Sequence, residues 1–106
     1  MKIYVTNQSN HNLDDALRFG DEFVYVTEGK VEVFKTDNLI NSLRVQLKDF
    51  EKGDLLLFTG NSVICSLCLS MLLTKFKIVK VLIFNNLTTE YVLRQIDVSR
   101  ISIKED

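Results

Sequence analysis

Residues 54–76 read DLLLFTGNSVICSLCLSMLLTKF, and this stretch decides the fold. Leu55, Leu56, Leu57 and Phe58 form a continuous apolar run of the kind buried on both faces of a parallel sheet. Thr59, Gly60 and Asn61 break the run, and from 61 to about 75 the spacing predicts an oily helix. Its one polar feature is a narrow stripe of Ser62, Ser66, Ser70 and Thr74 at four-residue intervals. The stripe either faces water or lets another helix approach closely, and the expectation is a partly buried surface between subunits.

Working upstream, Lys52-Gly53-Asp54 turns the chain out of a helix that starts with Thr36 or Asp37 as N-cap and runs to about residue 50. Leu39, Ile40, Leu43, Leu47 and Phe50 share one face of that helix, and Arg44, Lys48 and Asp49 lie largely opposite. Before it, 22–27 (EFVYVT) reads as a strand rich in β-branched and aromatic residues, ending at Glu28-Gly29, and KVEVFK adds a short extended piece. At the N-terminus, 2–6 (KIYVT) is a strand. The polar loop NQSNHN follows it, with Asn12 placed to cap a brief helix, LDDALRFG, that ends at Gly20.

Downstream, 77–84 (KIVKVLIF) is the next strand, and NNLTT leads into EYVLRQIDV as the second arm of an edge hairpin. The tail SRISIKED reads as a short extension. Right-handed crossovers between these units predict an α/β fold: a three-layer Rossmann-like domain with a mostly parallel five-stranded sheet, order 2-1-3-4-5, closed by a C-terminal antiparallel hairpin.

The 106 residues suit one domain spanning 1–106, and 46% hydrophobic with 25% charged residues suits a packed core. A net charge of −1 removes the basic footprint of a general nucleic-acid binder. MKIYVTNQ reads as a strand and not a signal peptide, and no apolar run reaches the roughly 18 residues that a membrane span needs. The expectation is a cytoplasmic protein. Cys65 and Cys68 lie inside the helix and not at its start, where the dipole would lower a thiol pKa. They are therefore expected in the core and not as a redox pair or a metal site.

Parallel strands end at one edge of the sheet, so the loops after strands one, two and three should meet there. They carry Asn7, Ser9 and His11; Thr27 and Gly29; and Thr59, Gly60, Asn61 and Ser62. Strands one and three are adjacent in this order and their helices pack on opposite faces, which opens the crevice where open α/β sheets bind ligands. Gly60 admits close backbone approach, the hydroxyls and the Asn7 amide offer hydrogen bonds, and the helix N-terminus favours an anion. These residues are also ordinary turn and cap formers. No Walker or G-x-G-x-x-G sequence is present, and no cofactor is expected. His11, with Asp14 or Asp15 to orient it, is the one candidate general acid or base.

NQSNH at 7–11, RFG at 18–20, TEG at 27–29, DLLLFTGN at 54–61 and VLIFNN with EY near the end together resemble a group of small, mostly uncharacterised bacteriophage α/β proteins. That resemblance implies a phage origin and no established activity; Asn10 stands where a glycine is more usual. The strand, Thr-Gly turn and helix are also similar, at the level of fold, to CRISPR-associated Rossmann-like domains that recognise cyclic oligonucleotides. The expected function is that of a binding protein for a small anionic or nucleotide ligand, homo-oligomeric and acting against a host nucleotide-signalling defence. The alternatives are an interaction module for a host protein and a nucleotide-cleaving enzyme that uses His11.

Overall fold

The computed structural model describes residues 1–9 and 11–103. Asn10 and the last three residues of the expected tail extension lie outside them. Five strands, β1 (Lys2–Val5), β2 (Glu22–Tyr25), β3 (Leu55–Leu57), β4 (Ile78–Asn85) and β5 (Glu90–Asp97), form one sheet in the order β2-β1-β3-β4-β5. The pairs β1–β2, β1–β3 and β3–β4 are parallel, and β4 and β5 pair antiparallel over eight residues from Ile78–Asp97 to Asn85–Glu90. The connections are a 3-10 helix (Asp14–Arg18), α1 (Thr36–Leu47) and α2 (Ser62–Leu73), and a single turn, α3 (Val98–Ile101), follows the sheet.

Alternation along the strands divides the core in two. Tyr4, Leu56, Val79 and Val81 pack with Leu39, Leu43 and Leu47 of α1 and Ile64, Cys68 and Leu72 of α2. Ile3, Val5, Leu55, Leu57, Leu82 and Tyr91 pack with Ala16 of the 3-10 helix, joined by Leu13 and Phe19. The order explains the division: β1 to β2 steps one way across the sheet while β2 to β3 and β3 to β4 step the other. Right-handed crossovers then put the first connection opposite the other two. Burying each of the three α1 leucines contributes about 1.5–3 kcal/mol.

Element ends differ from expectation where side chains compete for the backbone. β1 stops at Val5 because the hydroxyl of Thr6 turns to the backbone of Thr59, and β2 stops at Tyr25 because that of Thr27 donates to the Thr6 carbonyl at 2.7 Å. KVEVFK forms no strand; its Val31 and Val33 pack on the first core cluster and Phe34 is exposed. Lys35, not Thr36 or Asp37, is the N-cap of α1, without a side-chain hydrogen bond, since the Thr36 hydroxyl turns back to the Val33 carbonyl. α1 ends at Leu47, yet Phe50 still reaches the core, its ring 4.9 Å from that of Tyr4 and 5.7 Å from that of Phe76. Asp97 caps α3 by accepting from the Ser99 amide, so the short extension after the sheet begins with one helical turn.

At the edge where β1 and β3 begin, the buried Asp54 carboxylate accepts from the Lys2 amide at 3.0 Å and from the Glu51 amide at 2.9 Å. This fixes the register of the two central strands from below. No helix among the described residues is long and apolar enough to cross a membrane.

Candidate functional site

The loop after β1 is knotted to the loops after β2 and β3. Thr6, fully buried, accepts from the Thr59 amide at 2.8 Å and donates to the Thr59 carbonyl at 2.5 Å, while its own amide donates to the Leu57 carbonyl at 3.1 Å. The Asn7 amide nitrogen donates to the Thr27 hydroxyl and to the Gly29 carbonyl, both at 2.9 Å. Gly60 has φ +87° and lies directly over Asn7: a Cβ there would come within 2.8 Å of the Asn7 Cβ. Asn7, Thr27, Gly29 and Gly60 are thus brought together, with the Asn7 amide turned toward the β2 loop and spent on holding it.

Beyond this knot a cleft of about 920 Å³ opens between the β1 loop and the ends of β3 and β4. One wall is the β1 loop and 3-10 helix, with His11, Asn12 and Asp15; another is the β3 end and α2, with Phe58, Thr59, Gly60, Ser62, Cys65, Ser66 and Leu69. The hairpin supplies the third, with Phe84, Asn86, Thr89 and Tyr91. Of the residues singled out from sequence, His11, Thr59, Gly60 and Ser62 line the cleft. Asn7, Ser9, Thr27, Gly29 and Asn61 do not. Ser9 is exposed with its hydroxyl 3.4 Å from that of Thr59, and Asn61 is the N-cap of α2, accepting from the Val63 amide at 2.7 Å.

The hairpin wall was not foreseen. The signal for it lies in the order itself, since β4 is parallel to β3 and must end at the same edge, which brings NNLTT alongside the Thr-Gly turn. Thr89 in that turn holds φ 57°, a left-handed conformation that costs a β-branched residue on the order of 1–2 kcal/mol.

An ion pair closes the cleft between the first wall and the third. Arg18 donates to both carboxylate oxygens of Asp15, at 3.0 and 3.1 Å, and to the Tyr91 carbonyl at 2.9 Å. The Tyr91 amide in turn donates to Asp15 at 2.7 Å. The guanidinium and then the Tyr91 amide hold the Asp15 carboxyl below the usual carboxylate range. A carboxyl lowered on folding stabilises the native state above its unfolded value, near 4, and that contribution is lost as pH falls through the lowered value. Asp15→Ala should therefore be less stable than the wild type at neutral pH, and the gap should close as denaturation is repeated below about pH 4. A gap that stays constant with pH would assign the effect to packing.

Asp15 is committed to this clamp and is not free to orient His11, which is exposed and makes no hydrogen bond among the described residues. Asp14 is exposed as well. Burial pushes the Cys68 thiol up to about 12, so it stays protonated as core, while the Cys65 sulfur lies 3.5 Å from the Thr6 hydroxyl. The two cysteines are free thiols, and no group of three potential metal ligands stands together among the described residues. Ser62, Ser66, Ser70 and Thr74 are all exposed on the chain, the first two at the cleft.

One family model, described as Phage Pam3 gp32-like protein, matches residues 1–98. No curated protein and no solved structure gives a significant match.

Proposed function

The chain belongs to this phage family, and from that premise we propose that it is a small binding protein that holds a nucleotide or other small anionic ligand in the cleft between the β1 loop and the ends of β3 and β4. The observation that carries the reading is the position of the cleft. It opens over the ends of β3 and β4, one strand along from the reversal between β1 and β3, with the loop and 3-10 helix after β1 on one side and α2 on the other, at the same sheet edge where open α/β sheets of Rossmann-like, three-layer build take their ligands. The proposed likeness to CRISPR-associated nucleotide-recognising domains is one of fold, in the strand, Thr-Gly turn and helix. Acting in the host cytoplasm, such a protein would counter a nucleotide-signalling defence by sequestering the signal. The proposed assembly is a homo-oligomer through the exposed Ser/Thr stripe of α2; the β5 edge offers less, because Asp15 and Arg18 already occupy the Tyr91 backbone.

The test is a calorimetric titration of nucleotides and inorganic phosphate into the wild type and into Ser66→Trp. Ser66 is exposed on α2 at the cleft, so tryptophan fills the cleft without disturbing the core. Binding by the wild type and its loss in a variant of unchanged melting temperature is the expected result. Binding that survives the substitution would move the ligand elsewhere.

A second reading, docking of a host protein, is favoured by Phe34 and Leu87, which are 91% and 95% exposed. Its signature is a partner retained by Ser66→Trp and lost on Phe34→Ser with Leu87→Ser.

A further inference from the structure

The lining of the cleft narrows the class of ligand. Phe58, Leu69, Phe84 and Tyr91 give it an apolar lining, and Phe84 is 40% exposed although its ring packs edge-on against Tyr91 at 5.2 Å. No lysine or arginine lines it among the described residues. The nearest guanidinium, Arg18, is spent on Asp15 and on the Tyr91 carbonyl, and the Asp15 carboxylate itself forms part of the wall. Sites for di- and triphosphates gather cations, because each added charge must be matched when it leaves water. This cleft has no lysine or arginine of its own to match them, and the guanidinium beside it is already neutralised by Asp15. Its lining also includes the exposed Asn86, whose side-chain amide has no hydrogen-bond partner among the described residues and offers a donor and an acceptor side by side.

We infer that the ligand is a nucleoside or nucleoside monophosphate, its flat base lying against the exposed Phe84 ring with its polar edge toward Asn86, and not a di- or triphosphate. This rests on the reading of the cleft as a nucleotide site and names the end of the molecule that the cleft recognises. A base has an apolar face for the ring and a polar edge for the amide, and stacking of this kind is tolerant of which base is present.

The experiment titrates the four common nucleosides, their mono- and triphosphates and inorganic phosphate into the wild type and into Phe84→Ala, at low and at physiological salt. At least one nucleoside should bind, with its monophosphate within about threefold and its triphosphate at least about tenfold weaker, and salt should change the nucleoside affinity little. Phe84→Ala should weaken nucleoside binding by about tenfold or more, the range of one lost stacking contact, with an unchanged circular dichroism spectrum. Asn86→Ala, exposed in a turn, should weaken it with no loss of melting temperature. Tighter binding of triphosphate than of nucleoside, or of inorganic phosphate without nucleoside, would overturn this inference and leave the nucleotide or anion reading standing. Silence in every arm would overturn both.

Discussion

Gly60→Val should lower stability by roughly 2–5 kcal/mol, the sum of a backbone forced into a region that β-branched residues avoid and of overpacking against a buried neighbour. Both parts are visible at the position. Its φ of +87° is left-handed, and the added Cβ would meet the Asn7 Cβ at 2.8 Å, a contact that cannot relax by swinging a flexible side-chain end because Cβ is fixed to the backbone. Asn7 cannot withdraw either, since its amide holds Thr27 and Gly29. Gly53 separates the two parts. It has φ +97° but nothing within 4 Å of an added Cβ, so Gly53→Val carries the backbone cost alone and should destabilise by about 1–3 kcal/mol. Urea denaturation of both variants reads the difference directly, and equal losses would show that the Asn7 contact relaxes. A drop in ligand affinity on Gly60→Val is consequently a poor measure of the site, and Ser66 and Phe84 are the better probes.

The same position shows what a sequence can and cannot announce. The break in the LLLF run at Thr59-Gly60-Asn61 was legible because a strand must end before a helix begins, and the apolar periods on either side gave β3 and α2 to within a few residues. Strand order was legible from the succession of strand, helix and strand, together with the handedness of crossovers. What periodicity does not carry is the rotation of a polar side chain about its own bonds. Asn7 reads as a residue at the mouth of a crevice, but it is buried outside the lining of the cleft and its amide closes the β2 loop. Thr6 and Thr27 read as strand, because threonine favours β structure, and instead end their strands by bonding sideways to backbone. Phe84 and Tyr91 read as strand residues of an edge hairpin. Their own pattern says nothing of the cleft; it is the parallel pairing of β4 with β3 that makes the end of the hairpin a wall of it.

Thr6→Val is the substitution that tests how the β1 and β3 ends are joined. Valine keeps the shape of threonine and its preference for extended backbone, so the core volume at this fully buried position is unchanged. The hydroxyl alone is removed, and with it the acceptor for the Thr59 amide at 2.8 Å and the donor to the Thr59 carbonyl at 2.5 Å. Leaving a buried donor or acceptor unmade costs about 1–3 kcal/mol each, more than the bond itself contributes on balance, so a loss of roughly 2–4 kcal/mol is expected. Thr6→Ser keeps the hydroxyl and loses a methyl group, and should cost only about 0.5–1.5 kcal/mol, the range for one buried methyl. The ordering matters more than either magnitude: valine worse than serine means that the strand ends are held by the hydroxyl, and the reverse would mean that they are held by packing. Amide exchange at Thr59 gives an independent reading, because its N–H is the one released. In Thr6→Val it should exchange faster than the amides of Leu56 and Leu57, which remain within the sheet, whereas uniform acceleration across all three would indicate general destabilisation and not the loss of this joint.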